Sequence, residues 1–121
     1  MKHEYSGVRR IWEAFKNSFA GFIYVFKEES AFRQDLMVCI PLLFFVYFLP
    51  LLIVERVLLV SSVLFILFAE LVNSAIEAVV DRISSEWHSL SKAAKDIGSL
   101  LVLLSFVNLL FVWIMICKKF F

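Results

Sequence analysis

Glu70, Asn73, Ser74, Glu77 and Asp81 follow one another at steps of three, one, three and four. On a helix that spacing puts all five on one side. The segment that carries them opens as an uncharged apolar run, 57–69 (VLLVSSVLFILFA). Carboxylates attached to such a run lie inside an apolar layer or at its edge. An ionisable group there costs about 3 kcal/mol or more and persists mainly for function. Polar residues in that setting also hold helices together by hydrogen bonds, but two glutamates with an asparagine are more charge than adhesion needs.

Further ionisable residues converge on the same level. Glu28 and Glu29 precede one apolar segment, Arg33 and Asp35 open it, and Lys95 and Asp96 open another. A ring of carboxylates can hold Mg²⁺, which takes oxygen ligands and shares them with phosphate. Lysine and arginine beside it can neutralise phosphate oxygens. The chain has three glycines (Gly7, Gly21, Gly98) and neither a P-loop nor a protein-kinase signature. Phosphoryl transfer here would run on side-chain carboxylates and bound metal, not on a glycine loop.

The elements that position these groups are helices in a membrane. Of the 121 residues 62% are apolar, more than the roughly 45–50% of a soluble domain. Residues 36–54 (LMVCIPLLFFVYFLPLLIV) and 97–117 contain no charge. At about 1.5 Å per residue, nineteen residues reach ~28 Å, close to the hydrocarbon thickness. Pro41 and Pro50 kink or end the first of these helices. The run 57–69 is too short to cross, so the middle helix must continue through its carboxylates. Val8, Ile11, Trp12, Phe15, Phe19, Phe22, Ile23 and Phe26 recur at steps of three and four. With charges on the other faces they predict an amphipathic helix lying in the interface plane. The expected fold is all-α and a single domain: a surface helix over about 6–28, then transmembrane helices over about 34–53, 56–82 and 93–118.

Basic residues set the orientation. Lys2, Arg9, Arg10, Lys16, Lys27 and Arg33 precede the first span, and Arg82, Lys92 and Lys95 lie between the second and third. Only Arg56, Lys118 and Lys119 fall on the other side. The bias puts the N-terminus and the 81–96 loop in the cytoplasm and the C-terminus in the periplasm. A net charge of +1 points to no nucleic-acid partner. Cys39 and Cys117 fall near opposite faces of the membrane and read as packing residues. The first 35 residues lack the apolar core and small-residue cleavage site of a signal peptide.

The stretches EESAFRQD (28–35), RVLLVSSV (56–63) and AELVNSAIEAVVDRISSEWHSLSKAAKDIGS (69–99), with Trp113, resemble the small prokaryotic diacylglycerol kinases. The resemblance covers nearly the whole chain. Its central motif, E-x-x-N-[ST]-A-x-E-x-x-x-D followed by E-x-H and A-K-D, is highly specific.

The resemblance implies an ATP-dependent lipid kinase of the bacterial inner membrane, with Glu70 as general base and Mg²⁺ held by Glu29 and Glu77. It implies nucleotide contacts at Arg10, Asn17, Glu29, Glu77, Glu86, Trp87, His88, Lys95 and Asp96. Asn17 stands where family members carry tyrosine, and Trp87 also replaces a tyrosine. For the lipid it implies Arg10, Ala31, Phe32, Arg33, Gln34 and Asp35 near the first turn. Phe48, Arg56, Glu70, Ser99 and Trp113 complete that set, with Asn73 and Asp81 as supporting polar groups. It further implies a homotrimer with active sites shared between subunits, which fits the inability of three thin spans to enclose ATP, metal and lipid alone.

Three other readings compete, of which a purely structural membrane subunit leaves the metal-like cluster of carboxylates unexplained. An undecaprenol kinase shares the catalytic motif, although the AFRQD and VDRISSEWH wording is nearer the diacylglycerol branch. A small proton-coupled transporter would use an intramembrane glutamate, but transporter sites lie near the midplane. Here the second carboxylate and the basic cluster sit at the cytoplasmic surface.

Overall fold

A computed structural model of the chain describes residues 6–121. Lys2, one of the basic residues that set the orientation, lies outside the described residues. There are four long helices: α1 (Gly7–Glu28), α2 (Ser30–Phe48), α3 (Ile53–Ile83) and α4 (Ser89–Cys117), followed by a 3₁₀ turn, Lys118–Phe120. No strand occurs among the described residues. The segments Ser30–Phe48, Ile53–Ile83 and Ser89–Phe120 are long and apolar enough to cross a membrane.

α1 packs mainly on α2. Its aromatic stripe stays open, with Trp12, Phe15 and Phe19 each more than 60% exposed. Only Val25 of α1 is buried, and Phe22 meets the buried Phe32 of α2 edge-on at 5.9 Å. A helix so weakly attached, with one apolar face and charges on the rest, suits a lipid surface better than a protein core.

The break between α1 and α2 is a single extended residue, Glu29. The Arg33 guanidinium reaches back across it, Nη1 donating to the carbonyls of Phe26 at 2.6 Å and Lys27 at 3.0 Å. Those carbonyls belong to the last turn of α1, where no intrahelical donor remains.

The first span differs from the expected 34–53. It begins at Ser30 and ends at Phe48, leaving residues 49–52 non-helical. Pro50 explains the early stop, because the residue before a proline is pushed out of the α region, and Leu49 is extended (φ −82°, ψ 142°). Pro41, by contrast, is accommodated inside α2. At the break between α2 and α3 Arg56 repeats the role of Arg33: Nη1 donates to Val46 O at 2.7 Å and Nη2 to Leu49 O at 3.2 Å.

α3 runs unbroken through Glu70, Glu77 and Asp81. Its 31 residues extend about 46 Å, longer than the roughly 30 Å of a bilayer's hydrocarbon. Glu55 starts it, accepting from Leu52 N–H at 2.9 Å. His88 caps α4, its Nδ1 accepting from Leu90 N–H at 3.0 Å. α3 is the central helix, burying Leu59, Val63, Ile66 and Ala69. Cys39, Val63, Ile66 and Leu109 form the core, with Leu42, Leu67, Phe106 and Trp113 packed around it. Both cysteines are free thiols.

Candidate functional site

α3 and α4 lie antiparallel, tied at four levels. Starting from the end expected from the basic residues to be the outer one, these are Glu55 with Lys119 Nζ at 2.6 Å, Ser62 Oγ with Trp113 Nε1 at 3.0 Å, Asn73 against Gly98, and Asp81 with Lys95 Nζ at 2.7 Å. The ladder fixes the register of the two helices. It thereby sets which residues of α4 stand beside the carboxylates of α3.

The polar side of α3 grades from buried to exposed. Glu70 is 7% exposed and Ser74 5%. Asn73 and Glu77 are half-buried, Asn73 Nδ2 donating to Glu77 Oε1 at 3.4 Å, and Asp81 is exposed. Glu70 and Glu77 are about 10 Å apart along the axis at 1.5 Å per residue. The Asp35 carboxyl, from α2, lies beside that of Glu70, and its Oδ2 is buried without a hydrogen-bond partner.

Glu29, in the break between α1 and α2, is half-buried and faces the same cluster. Burial pushes its carboxyl above the usual range, and the negative charges of Glu77, Glu28 and Asp81 push it further. Among the described residues no three acidic, histidine or cysteine side chains come together as a metal-binding group. Two carboxylates, Glu29 and Glu77, share one patch of field. That donor set suits Mg²⁺, which keeps several waters and is held by one or two carboxylates together with phosphate oxygens. The excess negative charge that raises Glu29 is what a divalent cation would relieve.

At the α3–α4 turn an open groove of about 420 Å³ gathers Asp81, Glu86, Trp87, His88, Lys95 and Asp96. Five of the residues expected to hold nucleotide therefore meet in one place. Lys95 bridges to Asp81, Asp96 pairs with Lys92 at 2.6 Å, and Trp87 is 78% exposed. Arg10 and Asn17 stand apart, on exposed positions of α1.

The residues expected around the lipid divide into two groups. Ala31, Phe32, Arg33, Gln34 and Asp35 form the first turns of α2, next to Glu29, with Ala31 and Gln34 exposed. Ser99 is exposed on α4, one residue past Gly98. Phe48, Arg56 and Trp113 lie toward the outer end, with Phe48 76% exposed. Arg56 is about 21 Å from Glu70 along α3. The guanidinium groups of Arg33 and Arg56 are engaged by helix-end carbonyls.

Sequence reasoning missed the close seat of Asn73 on Gly98, the Trp113–Ser62 bond and the two arginine bridges. Periodicity places residues on a face, but these contacts depend on the rotation and register of neighbouring helices. The one available signal was the lone glycine within the third span.

The sequence model described as prokaryotic diacylglycerol kinase matches residues 16–117. A protein of Escherichia coli K12 named diacylglycerol kinase is 40% identical over 113 residues, 93% of each chain. One of Pseudomonas aeruginosa with the same name is 46% identical over 94 residues, covering 78% of this chain and 76% of that one. A third, from Haemophilus influenzae, is 39% identical over 108 residues, 89% of this chain and 92% of its own. With four helices in this order and the acidic face of α3 within the matched segment, the chain belongs to the prokaryotic diacylglycerol kinase family.

Proposed function

We propose that the chain is a diacylglycerol kinase of the bacterial inner membrane, moving the γ-phosphoryl group of ATP onto the free hydroxyl of diacylglycerol to give phosphatidic acid. The observation that supports this reading is the gradient along α3: a buried Glu70, then a half-buried Glu77, then an open charged groove. Lipid and nucleotide arrive from different solvents, and the carboxylates stand where the two meet.

In this reading Glu70 accepts the hydroxyl proton as the lipid oxygen bonds to the γ-phosphorus. The bond from that phosphorus to the β–γ bridging oxygen breaks, and ADP leaves. Lys95 neutralises phosphate oxygens, while Trp87 and His88 hold the base and sugar end; Arg10, which stands apart in the single chain, would reach a phosphate only from a neighbouring copy. Glu29 and Glu77 would hold Mg²⁺, which when bound supplies positive charge against the phosphates. Most of the catalysis is positioning and charge neutralisation.

The exposed polar edge of a single chain leaves the lipid and nucleotide positions open to one side. A homotrimer in which a neighbouring copy closes each site accounts for that opening. In mixed trimers, a Glu70→Gln subunit and a Glu29→Gln subunit restore activity if the two residues of a site come from different chains. The positive-inside bias places the N-terminus in the cytoplasm and the C-terminus in the periplasm. Reporters fused after Phe121 and inserted near Ser89 should therefore report opposite sides.

The direct test is a mixed-micelle assay with γ-labelled ATP and either diacylglycerol or undecaprenol. Label entering the lipid phase with diacylglycerol supports the proposal. Label entering undecaprenol alone moves the chain to the polyprenol branch, and no lipid label with either removes the kinase reading.

A further inference from the structure

Gly98 is the one glycine of α4, it is buried, and it faces Asn73. A Cβ built at Gly98 runs into Asn73 Oδ1 and comes within 3.2 Å of Asn73 Cγ and 3.7 Å of Asn73 Cα. Gly7 and Gly21, by contrast, have nothing within 4 Å of such a carbon. The space at Gly98 is thus already filled, and what fills it is the amide oxygen of Asn73.

That oxygen is buried and has no hydrogen-bond partner. Leaving a buried acceptor unpaired costs about 1–3 kcal/mol, so something must hold the amide in this orientation. The other end of the amide provides the reason, since Nδ2 donates to Glu77 Oε1. Turning the amide over would set Oδ1 against the carboxylate oxygen. The oxygen is left facing the bare Cα of Gly98, where a weak C–H···O contact is the most it can gain.

We propose that Gly98 is a positioning residue for Glu77: its missing side chain seats the Asn73 amide so that the NH₂ group steers the carboxylate that binds a divalent cation. The inference rests on the proposed role of Glu77 as a metal-binding group and adds to it the α4 residue on which that role depends. Any side chain at position 98 displaces Asn73 Oδ1, swings the amide off Glu77 and frees the carboxylate to turn. Groups that orient metal ligands from behind typically change metal affinity about 10–100-fold.

The test uses the purified full-length protein in detergent, Mn²⁺ as probe, and a non-hydrolysable ATP analogue, with free Mn²⁺ read by electron paramagnetic resonance. Gly98→Ala and Asn73→Ala should each weaken Mn²⁺ binding about tenfold or more, as should Glu77→Gln. The double variant Gly98→Ala/Asn73→Ala should be no worse than Asn73→Ala, because the obstacle that Gly98→Ala meets has gone. If Gly98→Ala does not fold, the double variant must fold and match Asn73→Ala.

Wild-type Mn²⁺ affinity in a folded Gly98→Ala overturns the proposal. Additive losses in the double variant do so as well, since they would make Gly98 a packing residue independent of the amide. No saturable Mn²⁺ binding by the wild type also overturns it. Phosphorylation of diacylglycerol is scored separately, so failure of the lipid-kinase reading is distinguishable from failure of this one.

Discussion

The two ends of the α3–α4 pair are fastened alike and differ in what remains after fastening. At the outer end Glu55 pairs with Lys119 through both carboxylate oxygens, at 2.6 and 2.8 Å, and one oxygen also caps the start of α3. Arg56 closes the neighbouring break on α2 carbonyls. At the other end Lys95 pairs with Asp81, yet Glu29, Glu70, Glu77 and Asp35 lie within one another's electrostatic reach, and among the described residues no ion pair joins any of them to a cation. One end uses its charges to hold helices. The other gathers more negative charge than holding requires, on a gradient from apolar to aqueous surroundings. A surplus of this kind, rather than the number of ion pairs, is what supports placing the proposed function at that end.

That contrast breaks most severely if Glu70 is changed. Glu70→Gln keeps the shape and polarity of the side chain and removes proton acceptance. Turnover should fall about 10²–10⁴-fold, with binding of a non-hydrolysable ATP analogue unchanged when measured by fluorescence titration. An equal fall in nucleotide affinity would mean that Glu70 holds substrate and is not the base.

Lys95 is the next largest. It pairs with Asp81, and both line the groove at the α3–α4 turn. Lys95→Met should raise the Michaelis constant for ATP about tenfold or more, since a hydrogen bond to a charged group contributes about 1.5–3 kcal/mol. Steady-state kinetics in micelles measure this, and a variant with a normal constant but lower melting temperature would make Lys95 a second structural clasp.

The smallest effect belongs to the outer end. Lys119→Met breaks a pair whose lysine side chain is 42% exposed, and exposed pairs hold little. Activity should stay within about twofold of wild type, while thermal unfolding followed by circular dichroism shifts slightly downward. A large loss of activity would erase the functional difference between the two ends.

Much of this arrangement was legible in the sequence, for identifiable reasons. The uncharged runs gave the helices, and the three-and-four spacing of Glu70, Asn73, Glu77 and Asp81 gave the common face. The rule against α conformation before proline was also on the page at Pro50, and applying it strictly would have ended the first span at Phe48. Contacts between helices were not legible. Arg33 and Arg56 reach carbonyls six to ten residues back across a break, a geometry that no periodicity encodes. Gly98 is one small residue in an apolar run, and only the register with α3 reveals that Asn73 needs it.

In the proposed function Glu70 and Glu77, on one face of one helix, do different work: proton transfer at the buried position and metal binding at the half-buried one. The most direct test is to titrate diacylglycerol phosphorylation against Mg²⁺ for wild type, Glu70→Gln and Glu77→Gln in folded protein. Glu77→Gln should demand more Mg²⁺ and recover part of its rate when the metal is in excess. Glu70→Gln should stay low at every concentration, with the wild-type midpoint. Recovery of Glu70→Gln by metal, with Glu77→Gln indifferent to it, would contradict the account.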